Sequence, residues 1–304
     1  MMGDDIDLLV IGAGVAGLTA AATAAERGLR TMVAEHLAPG GQIATVDHID
    51  NAPGHPQGIA GYDLGPQLQQ QAEQAGAAFL FDTIERVERG TGGFVVTGAA
   101  GVVRARAIVM AAGSRRRALG VPGEDALLGR GVSHCASCDG MFFRGRDVIV
   151  VGGGDSAFDE ARQLANHAAS VTLVHPGAMP TARPGVVDQV RARDNVRILA
   201  DRTVTAIEGD AEVTAARLSD GATMMTAAVF IYAGQTPNSA CVADLLDLDE
   251  DGRIVTGADL QSGCPGLFAA GDIRAGSGGL IATAMGEGAA AALAAVRYLA
   301  GWSE

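Results

Sequence analysis

The sequence predicts an α/β fold built from two Rossmann-like dinucleotide-binding domains, with the second domain inserted into the first. The main reason is an internal repeat, because residues 7–28 and 147–167 each read as a short apolar run, a glycine cluster and a helix-period stretch. That order is typical of a strand, a tight turn and a helix. A further strand-to-helix pattern at 266–301 has no partner of its own, so we expect it to complete the first domain.

The predicted elements divide the chain into three segments. We expect the first domain at residues 1–114 and 246–304, and the inserted domain at 115–245. Short β-type runs follow each glycine unit, which indicates a small β-meander added to a parallel core in each domain. These runs are Phe94–Val96, Val102–Val103 and Ala107–Met110 in the first half, and Val204–Ile207, Thr214–Leu218 and Val229–Tyr232 in the second.

The composition excludes several classes of function. All 22 basic residues of the 304 are arginine, so no lysine is available for a Schiff base or a P-loop. A net charge of −13 disfavours nucleic acid and anionic membranes as partners, because both attract basic surfaces. The N-terminus carries Asp4, Asp5 and Asp7 where a secretory signal would carry basic residues, so we expect a cytoplasmic protein. The 43 glycines are roughly twice the usual share, which indicates unusual backbone angles or close ligand approach.

The first glycine cluster predicts a complete dinucleotide site. Gly12, Gly14 and Gly17 have G-x-G-x-x-G spacing, which lets the backbone approach a pyrophosphate at the start of the next helix. Glu35 closes the following apolar run, where an acid binds ribose hydroxyls. Strand, glycines, helix and acid together are more specific than glycine spacing alone.

The second glycine cluster leaves two interpretations open. Its cofactor-binding candidates are Gly152, Gly154, Asp155 and Ala157, in G-x-G-x-x-A spacing. The position that matches Glu35 holds His175, followed by Pro176 and Gly177, whereas an NAD site would have an acid there and an NADP site arginines. Arg183 could swing back toward this position. Either this domain binds NADPH or NADH, or it is a Rossmann-like domain that binds a nucleotide poorly or not at all.

Further residues of the first domain could hold a flavin, because loops on an α/β scaffold are where ligands bind. Asp272 follows a short apolar strand and could accept hydrogen bonds from a polyol. The other candidates are Gly41, Gln42 and Asn51 on a Gly- and Pro-rich loop, and Gly113 and Gly271 at strand ends.

The pair Cys135 and Cys138, followed by Asp139, predicts redox chemistry. Two thiols at this spacing close into a small disulfide ring, and a helix N-terminus lowers the pKa of one of them, so that its thiolate attacks readily. A neighbouring carboxyl group can carry the proton. A zinc site would need a second pair, and Cys241 and Cys264 are isolated, so we expect no metal.

Together the motifs resemble those of the low-molecular-weight bacterial thioredoxin reductases. The resemblance runs in order along essentially the whole chain, and the redox stretch separates this family from glutathione-reductase-type relatives, whose cysteine pair lies near the N-terminus. The motifs that carry it are Gly12–Gly17, Gly40–Gln42, Asn51, Gly129–Gly140, Gly152–Ala157 and Phe268–Asp272.

The resemblance implies an FAD domain in two pieces (1–114 and 246–304), an inserted NADPH domain (115–245) holding the cysteines, a homodimer, and a rotation between domains during turnover. It implies that Cys138 forms the flavin-facing thiolate, that Cys135 attacks the partner disulfide, and that Asp139 is the general acid and base. The positions implied to dock thioredoxin are Arg130, Phe142 and Phe143.

Two positions depart from the family pattern. The family has His-Arg-Arg where this chain has His175-Pro176-Gly177, and Arg-Gln-Ala where it has Gly279-Leu280-Ile281. The first departure affects which electron donor the protein can use. The second affects the residues that surround the flavin.

Three hypotheses follow for the function. The first is an FAD-dependent disulfide oxidoreductase that passes electrons from NADPH or NADH to thioredoxin or a similar protein. The second is a related enzyme supplied by ferredoxin, flavodoxin or another flavin, or a dithiol oxidase. The third is a flavin redox sensor without turnover, in which Asp139 would have no role.

Overall fold

The computed structural model describes residues 6–301 and divides into two compact units. The first unit ends at Arg115 and resumes at Thr236, and the second unit is Arg116–Gln235. The predicted α/β fold, with one Rossmann-like domain inserted into another, is confirmed.

The second unit ends at Gln235 rather than near the predicted residue 245. The reason is the packing of the segment that follows. Val242 and Leu246 are buried in the same apolar cluster as Ile11 and Val87 of the first unit. Apolar burial therefore attaches residues 236–245 to the first unit.

The first unit is a parallel sheet extended by an antiparallel meander. Within residues 6–301 its seven-stranded sheet has the order β3-β2-β1-β6-β5-β4, and β17 also pairs with β6. Its strands are β1 (Ile6–Ile11), β2 (Thr31–Glu35), β3 (Ala78–Phe81), β4 (Ile84–Gly90), β5 (Gly93–Gly98), β6 (Gly101–Met110) and β17 (Leu267–Ala269), and its helices are α1 (Val15–Glu26), α2 (Gly61–Gln74) and α6 (Ile281–Ala300).

Helices α1 and α6 pack closely because both present small residues. A Cβ on Gly288 would lie 2.2 Å from the backbone oxygen of Ala16, so the two helices approach to backbone contact there. Buried alanines continue this contact along both helices. The predicted pairing of the C-terminal strand and helix with the first domain follows from this contact and from the β6–β17 pairing.

The second unit repeats the parallel core and adds a separate meander. One sheet has the order β11-β10-β9-β15-β8, and β12-β13-β14 form an antiparallel sheet. The strands are β8 (Val132–Ser133), β9 (Asp147–Val151), β10 (Ser170–Val174), β11 (Val196–Leu199), β12 (Val204–Glu208), β13 (Ala215–Leu218), β14 (Thr223–Met225) and β15 (Ala228–Ile231), and the helices are α3 (Ala136–Asp139), α4 (Asp155–Leu164) and α5 (Pro184–Arg191).

Two short strands lie where the chain passes from one unit to the other. They are β7 (Ser114–Arg116) and β16 (Gln235–Pro237), and they pair with each other. In the part of the chain that the structure describes, none of the helices combines the length and apolar character that crossing a membrane requires.

Candidate functional site

The first glycine turn joins β1 to α1 and is shaped by backbone contact. Gly12 has φ +104°, and a Cβ there would lie 2.5 Å from the backbone oxygen of Ala111. A Cβ on Gly17 would lie 1.9 Å from the oxygen of Gly12, so the helix meets the turn at van der Waals distance. Within the described chain, a Cβ on Gly14 would meet no atom within 4 Å, so this residue borders open space.

The start of α1 can receive an anion. Gly14 is the N-cap residue, and no side chain of residues 6–301 caps the helix. The first backbone N–H groups of a helix have no partner within it, so they bind a phosphate group readily.

Glu35 lies at the end of β2, beside this turn. One carboxylate oxygen accepts the N–H of Ala13 at 2.8 Å, and the other accepts the N–H groups of His36 and Leu37 at 2.9 and 3.0 Å. These bonds fix a buried carboxylate where the ribose of a dinucleotide is held. The Oε1 atom also lies 3.0 Å from the His36 Nδ1, so the capacity for a ribose hydroxyl is on Oε2, which has two acceptor positions and accepts the N–H of Ala13.

The Gly- and Pro-rich loop contacts the same turn. The N–H of Gly40 donates to the Ala13 oxygen at 2.8 Å, and a Cβ on Gly41 would lie 3.1 Å from the Cα of Gly14. The Gln42 side chain donates to the backbone oxygen of Ser114 at 3.1 Å. The structure therefore brings Gly41 to the glycine turn, whereas Asn51 is exposed further along the loop.

The strand ends at Gly113 and Gly271 lie on the same sheet edge, because β1, β6 and β17 run parallel. Asp272 is partly buried, and one of its oxygens accepts the Ser277 hydroxyl at 3.3 Å. The N–H of Gly271 donates at 2.8 Å to Glu287 of α6.

A partly buried ion pair that the sequence does not predict supports this edge. The Glu287 carboxylate pairs with the Arg274 guanidinium at 2.5 Å, and both side chains are largely buried. The Nε of Arg274 is buried without a hydrogen-bond partner in the described chain. The pair has no local sequence signal, because its members lie on a loop and a helix turn that only the fold brings together.

These residues fit a bound FAD. The open Gly14, the uncapped helix start and the Glu35 carboxylate suit a pyrophosphate and a ribose, and Asp272 offers acceptor oxygens for a polyol. Gly279 and Leu280 precede α6, and they contribute no guanidinium or amide side chain to this unit.

The redox cysteines lie in the second unit as a disulfide. Cys135 and Cys138 have Cα atoms 5.3 Å apart, and Cys138 is exposed. Cys135 is the N-cap of α3, and its sulfur accepts the N–H of Cys138 at 3.2 Å. The expected helix is a single turn, continued by a 3-10 turn at Gly140–Phe143. After reduction, the Cys138 N–H would favour a thiolate on Cys135.

Ser133 connects Asp139 to the cysteines, a role that sequence reasoning did not assign. Its hydroxyl donates to the Asp139 carboxylate at 2.6 Å and accepts the N–H of Cys135 at 3.1 Å. Ser133 is buried on β8 and therefore fixes both groups. Its one sequence signal is its place between a strand and a helix N-cap, where serine hydroxyls often bind local backbone.

His134 lies beside the cysteines and bonds away from them. Its Nδ1 is 3.2 Å from the Ile231 carbonyl oxygen, so this ring nitrogen is hydrogen-bonded to the backbone.

A half-buried acid and a half-buried tyrosine lie next to α3. The N–H of Ala136, the first residue of α3, donates to the Tyr232 hydroxyl at 3.0 Å, and Glu160 of α4 is hydrogen-bonded to the same hydroxyl. Burial raises the pKa of Glu160, and the Arg116 guanidinium opposes this shift only in part. Burial and the Glu160 carboxylate also raise the pKa of Tyr232, so its hydroxyl stays protonated.

Glu160→Gln is expected to stabilise the protein increasingly as pH rises. The pKa of Glu160 is higher in the folded protein than in the unfolded chain, so ionisation of this carboxyl lowers the free energy of unfolding. This loss is absent at low pH, where the carboxyl is protonated in both states, and it is complete above the folded pKa. The Oε2 atom is buried and unpartnered among the described residues, a situation that costs about 1–3 kcal/mol. Thermal unfolding at pH 4 and pH 8 measures the change, with the exposed Glu85→Gln as control. A stabilisation that is equal at both pH values would contradict this assignment.

The second glycine turn has the same construction as the first. Gly152 has φ +142°, and a Cβ there would lie 2.3 Å from the backbone oxygen of Tyr232. Gly154 is the N-cap of α4, Asp155 is its first residue, and Ala157 is buried beneath the turn. The structure thus brings all four candidate residues to the start of α4.

Comparison with known proteins gives one consistent result. Residues 6–288 match the family described as pyridine nucleotide-disulphide oxidoreductase. The thioredoxin reductase of Mycolicibacterium smegmatis is 40% identical, covering 97% of this chain and 96% of that protein. The thioredoxin reductase of Treponema pallidum is 35% identical and covers 98% of both chains. The crystal structure of Lactococcus lactis thioredoxin reductase superposes with a TM-score of 0.91 at 31% identity, covering 98% of this chain and 100% of that one.

These matches extend over nearly the whole chain and include both glycine turns and the cysteine pair. The chain therefore belongs to the pyridine nucleotide-disulphide oxidoreductase family and, within it, to the thioredoxin reductases, which are FAD-dependent disulfide oxidoreductases.

Proposed function

We propose that the protein reduces the disulfide of thioredoxin or a similar small dithiol protein, using electrons that pass from NADPH or NADH through FAD to Cys135 and Cys138. The observation that carries this proposal is the disulfide itself. It lies at the start of α3 with Cys138 exposed, and Ser133 holds the Asp139 carboxylate next to it.

The two units have separate roles in this proposal. The first binds FAD, and the second binds the nicotinamide nucleotide and carries the cysteines. The FAD residues are Gly12, Gly14, Gly17, Glu35, Gly41, Gln42, Asn51, Gly113, Gly271 and Asp272, and the nucleotide residues are Gly152, Gly154, Asp155 and Ala157. FAD supplies two-electron transfer from the nucleotide to the disulfide.

The cysteines then carry out thiol–disulfide exchange. Reduction of the Cys135–Cys138 disulfide consumes two electrons and two protons and yields two thiols. The Asp139 carboxylate takes the proton of the Cys135 thiol, and the Cys135 thiolate attacks one sulfur of the partner disulfide. The other partner sulfur leaves as a thiolate and takes that proton back from Asp139. The Cys138 sulfur then attacks the Cys135 sulfur, so the bond between Cys135 and the partner breaks and the internal disulfide is restored. The proton of the Cys138 thiol passes to the departing partner sulfur, and the partner is released as a dithiol.

An exposed apolar rim near the cysteines suits a protein partner. The Phe142 side chain is 79% exposed and the neighbouring Met141 is 53% exposed, and both residue types are enriched where proteins bind each other. Phe142 borders a cavity of about 400 Å³ that Arg130, Phe143 and Asp139 also line. This combination of an aromatic, a guanidinium and the site acid supports docking of a folded dithiol protein beside the disulfide.

We place the protein in the cytoplasm as a homodimer. The support is its membership of the thioredoxin reductases and a dithiol chemistry that needs a reducing compartment. Nothing in its charge of −13 favours nucleic acid or an anionic membrane.

Anaerobic stopped-flow spectroscopy tests the function. The oxidised holoenzyme is mixed in turn with NADPH, NADH and reduced ferredoxin while flavin absorbance is followed, and thioredoxin reduction is then measured with the best donor. We expect at least one nicotinamide nucleotide to bleach the flavin absorbance, and we expect the reduced enzyme to reduce thioredoxin catalytically. Bleaching without thioredoxin turnover would contradict the proposed substrate.

The second candidate is the same disulfide chemistry with ferredoxin, flavodoxin or another flavin as donor, or a dithiol oxidase. The observation that favours it is the absence of arginine at positions 176 and 177. Bleaching by reduced ferredoxin with no response to either nicotinamide would support it. A sensor without turnover, the third candidate, would show neither response.

A further inference from the structure

The edge of the second unit that would receive the adenosine ribose is made by three neighbouring strands. Because β9, β10 and β11 are parallel and adjacent, the glycine turn, His175 and Asp201 all follow carboxyl ends of strands at one edge. In Rossmann folds the residue after the second strand reads the ribose 2′ position, with an acid for a hydroxyl and arginines for a phosphate.

His175 provides no positive charge at this edge. Its side chain is 1% exposed and packs against the glycine turn, where a Cβ on Gly153 would lie 3.2 Å from the His175 Cβ. The buried Nε2 has no hydrogen-bond partner within the described chain. Burial lowers the pKa of His175, and the Asp201 carboxylate opposes this shift only in part, so the ring is neutral at physiological pH.

The arginines of the two loops that follow β10 and β11 already have carboxylate partners. Arg183 donates its Nε and its backbone N–H to Asp155, at 2.8 and 2.7 Å. Arg202 donates its Nε to Asp220 at 2.5 Å. A phosphate bound by either guanidinium would lie beside the carboxylate that already pairs with it, and that carboxylate would repel the dianion.

Asp201 adds a further negative charge to the same edge. Its backbone N–H donates to the Gly177 oxygen at 3.2 Å, which ties the two loops together, and its side chain is exposed. Its φ of +55° is a conformation that Asp and Asn adopt more readily than most residues. A carboxylate here accepts a hydrogen bond from a hydroxyl and repels a phosphate.

We infer that the second unit binds NADH in preference to NADPH, with Asp201 as the specificity-determining carboxylate for the ribose 2′-hydroxyl. The inference rests on the proposed function, because it names the donor of that same reaction. The electron balance is the same for either nucleotide, since each gives one hydride and, with one proton, reduces one disulfide to two thiols. The difference is confined to binding.

Calorimetric titration of the oxidised holoenzyme with NAD⁺ and NADP⁺ tests the inference without turnover. We expect NAD⁺ to bind roughly tenfold more tightly or better, the scale of one charged hydrogen bond gained or lost. The double variant Pro176→Arg, Asp201→Asn adds a cation at an exposed position and removes the repelling charge, and Asn keeps the left-handed backbone. It should improve NADP⁺ binding by roughly tenfold and weaken NAD⁺ binding.

The matched control is Asp210→Asn, which removes an exposed carboxylate from the turn between β12 and β13 and should change neither affinity. Tighter binding of NADP⁺ than NAD⁺ by the wild-type protein would overturn the inference, as would a double variant with unchanged preference or a wild type that binds neither nucleotide. Dithionite-reduced holoenzyme mixed with oxidised thioredoxin separates this failure from failure of the proposed function, because that transfer needs no nucleotide.

Discussion

Replacing Cys138 with serine is expected to leave FAD bound and to abolish reduction of a dithiol protein. The bound flavin should still bleach with the physiological donor, because the proposed FAD residues all lie in the first unit and Cys138 in the second. Transfer to thioredoxin should fall by roughly a thousandfold or more, the scale of losing a reactive nucleophile. Flavin absorbance and thioredoxin turnover, measured on the same preparation, give the two readouts.

The structural reason is that serine cannot complete the disulfide. Cys138 contributes one of the two sulfurs, and its N–H holds the Cys135 sulfur at 3.2 Å. A serine at this position would keep that N–H, so the backbone of α3 should be unchanged while the two-electron store is lost. A mixed disulfide between Cys135 and the partner would accumulate, because its resolving thiol is missing.

The other cysteines provide matched controls. Cys241 and Cys264 are partly buried against the core of the first unit, and burial raises the pKa of Cys241, so its thiol is unreactive at neutral pH. Cys241→Ser and Cys264→Ser should retain thioredoxin turnover. Persistent protein disulfide reduction by Cys138→Ser, or its loss in both controls, would show that the redox site is assigned wrongly.

The fold could be predicted because its signals are local and repeated. The strand, glycine turn and helix at 7–28 and 147–167 need only neighbouring residues, so β1, α1, β9 and α4 were readable from the sequence. Other elements lack such a signal, and in α2 the residues Gly65 and Pro66 oppose a helix assignment. The second unit ends at Gln235, before the predicted boundary at 245, because the burial of Val242 with the first unit depends on tertiary packing.

The candidate site could be predicted from the sequence where a chemical function requires one particular residue type. Glycines at a turn, an acid after the second strand and a C-x-x-C pair each meet that condition. Ser133, Glu287 and the Tyr232–Glu160 pair carry no such signal, because their roles depend on contacts across the fold. For His175 the sequence shows that an acid is absent, but only the structure shows that its ring is buried against Gly153 and that the exposed Asp201 follows the neighbouring strand.

Gly17→Ala should weaken the binding of FAD. The added methyl group would lie 1.9 Å from the backbone oxygen of Gly12, and real Cβ atoms do not approach backbone that closely, so α1 has to shift away from the turn. The first N–H groups of α1 would then no longer meet the pyrophosphate in the geometry that the turn provides. Overpacking of this kind costs about 1–3 kcal/mol, and we expect FAD affinity to fall by roughly tenfold or more.

Gly185→Ala is the control, because Gly185 lies in α5, has an ordinary helical backbone, and within the described chain an added Cβ there meets no atom within 4 Å. It should retain FAD fully. The ratio of flavin to protein absorbance and a titration of apoprotein with FAD measure the effect, and circular dichroism establishes that each variant is folded. A folded Gly17→Ala protein with wild-type FAD affinity would mean that the first glycine turn does not hold the pyrophosphate, and the cofactor assignment of the first unit would have to be abandoned. Weaker FAD binding by Gly17→Ala, with unchanged binding by Gly185→Ala, would show that flavin binding depends on the contact between α1 and the turn at Gly12.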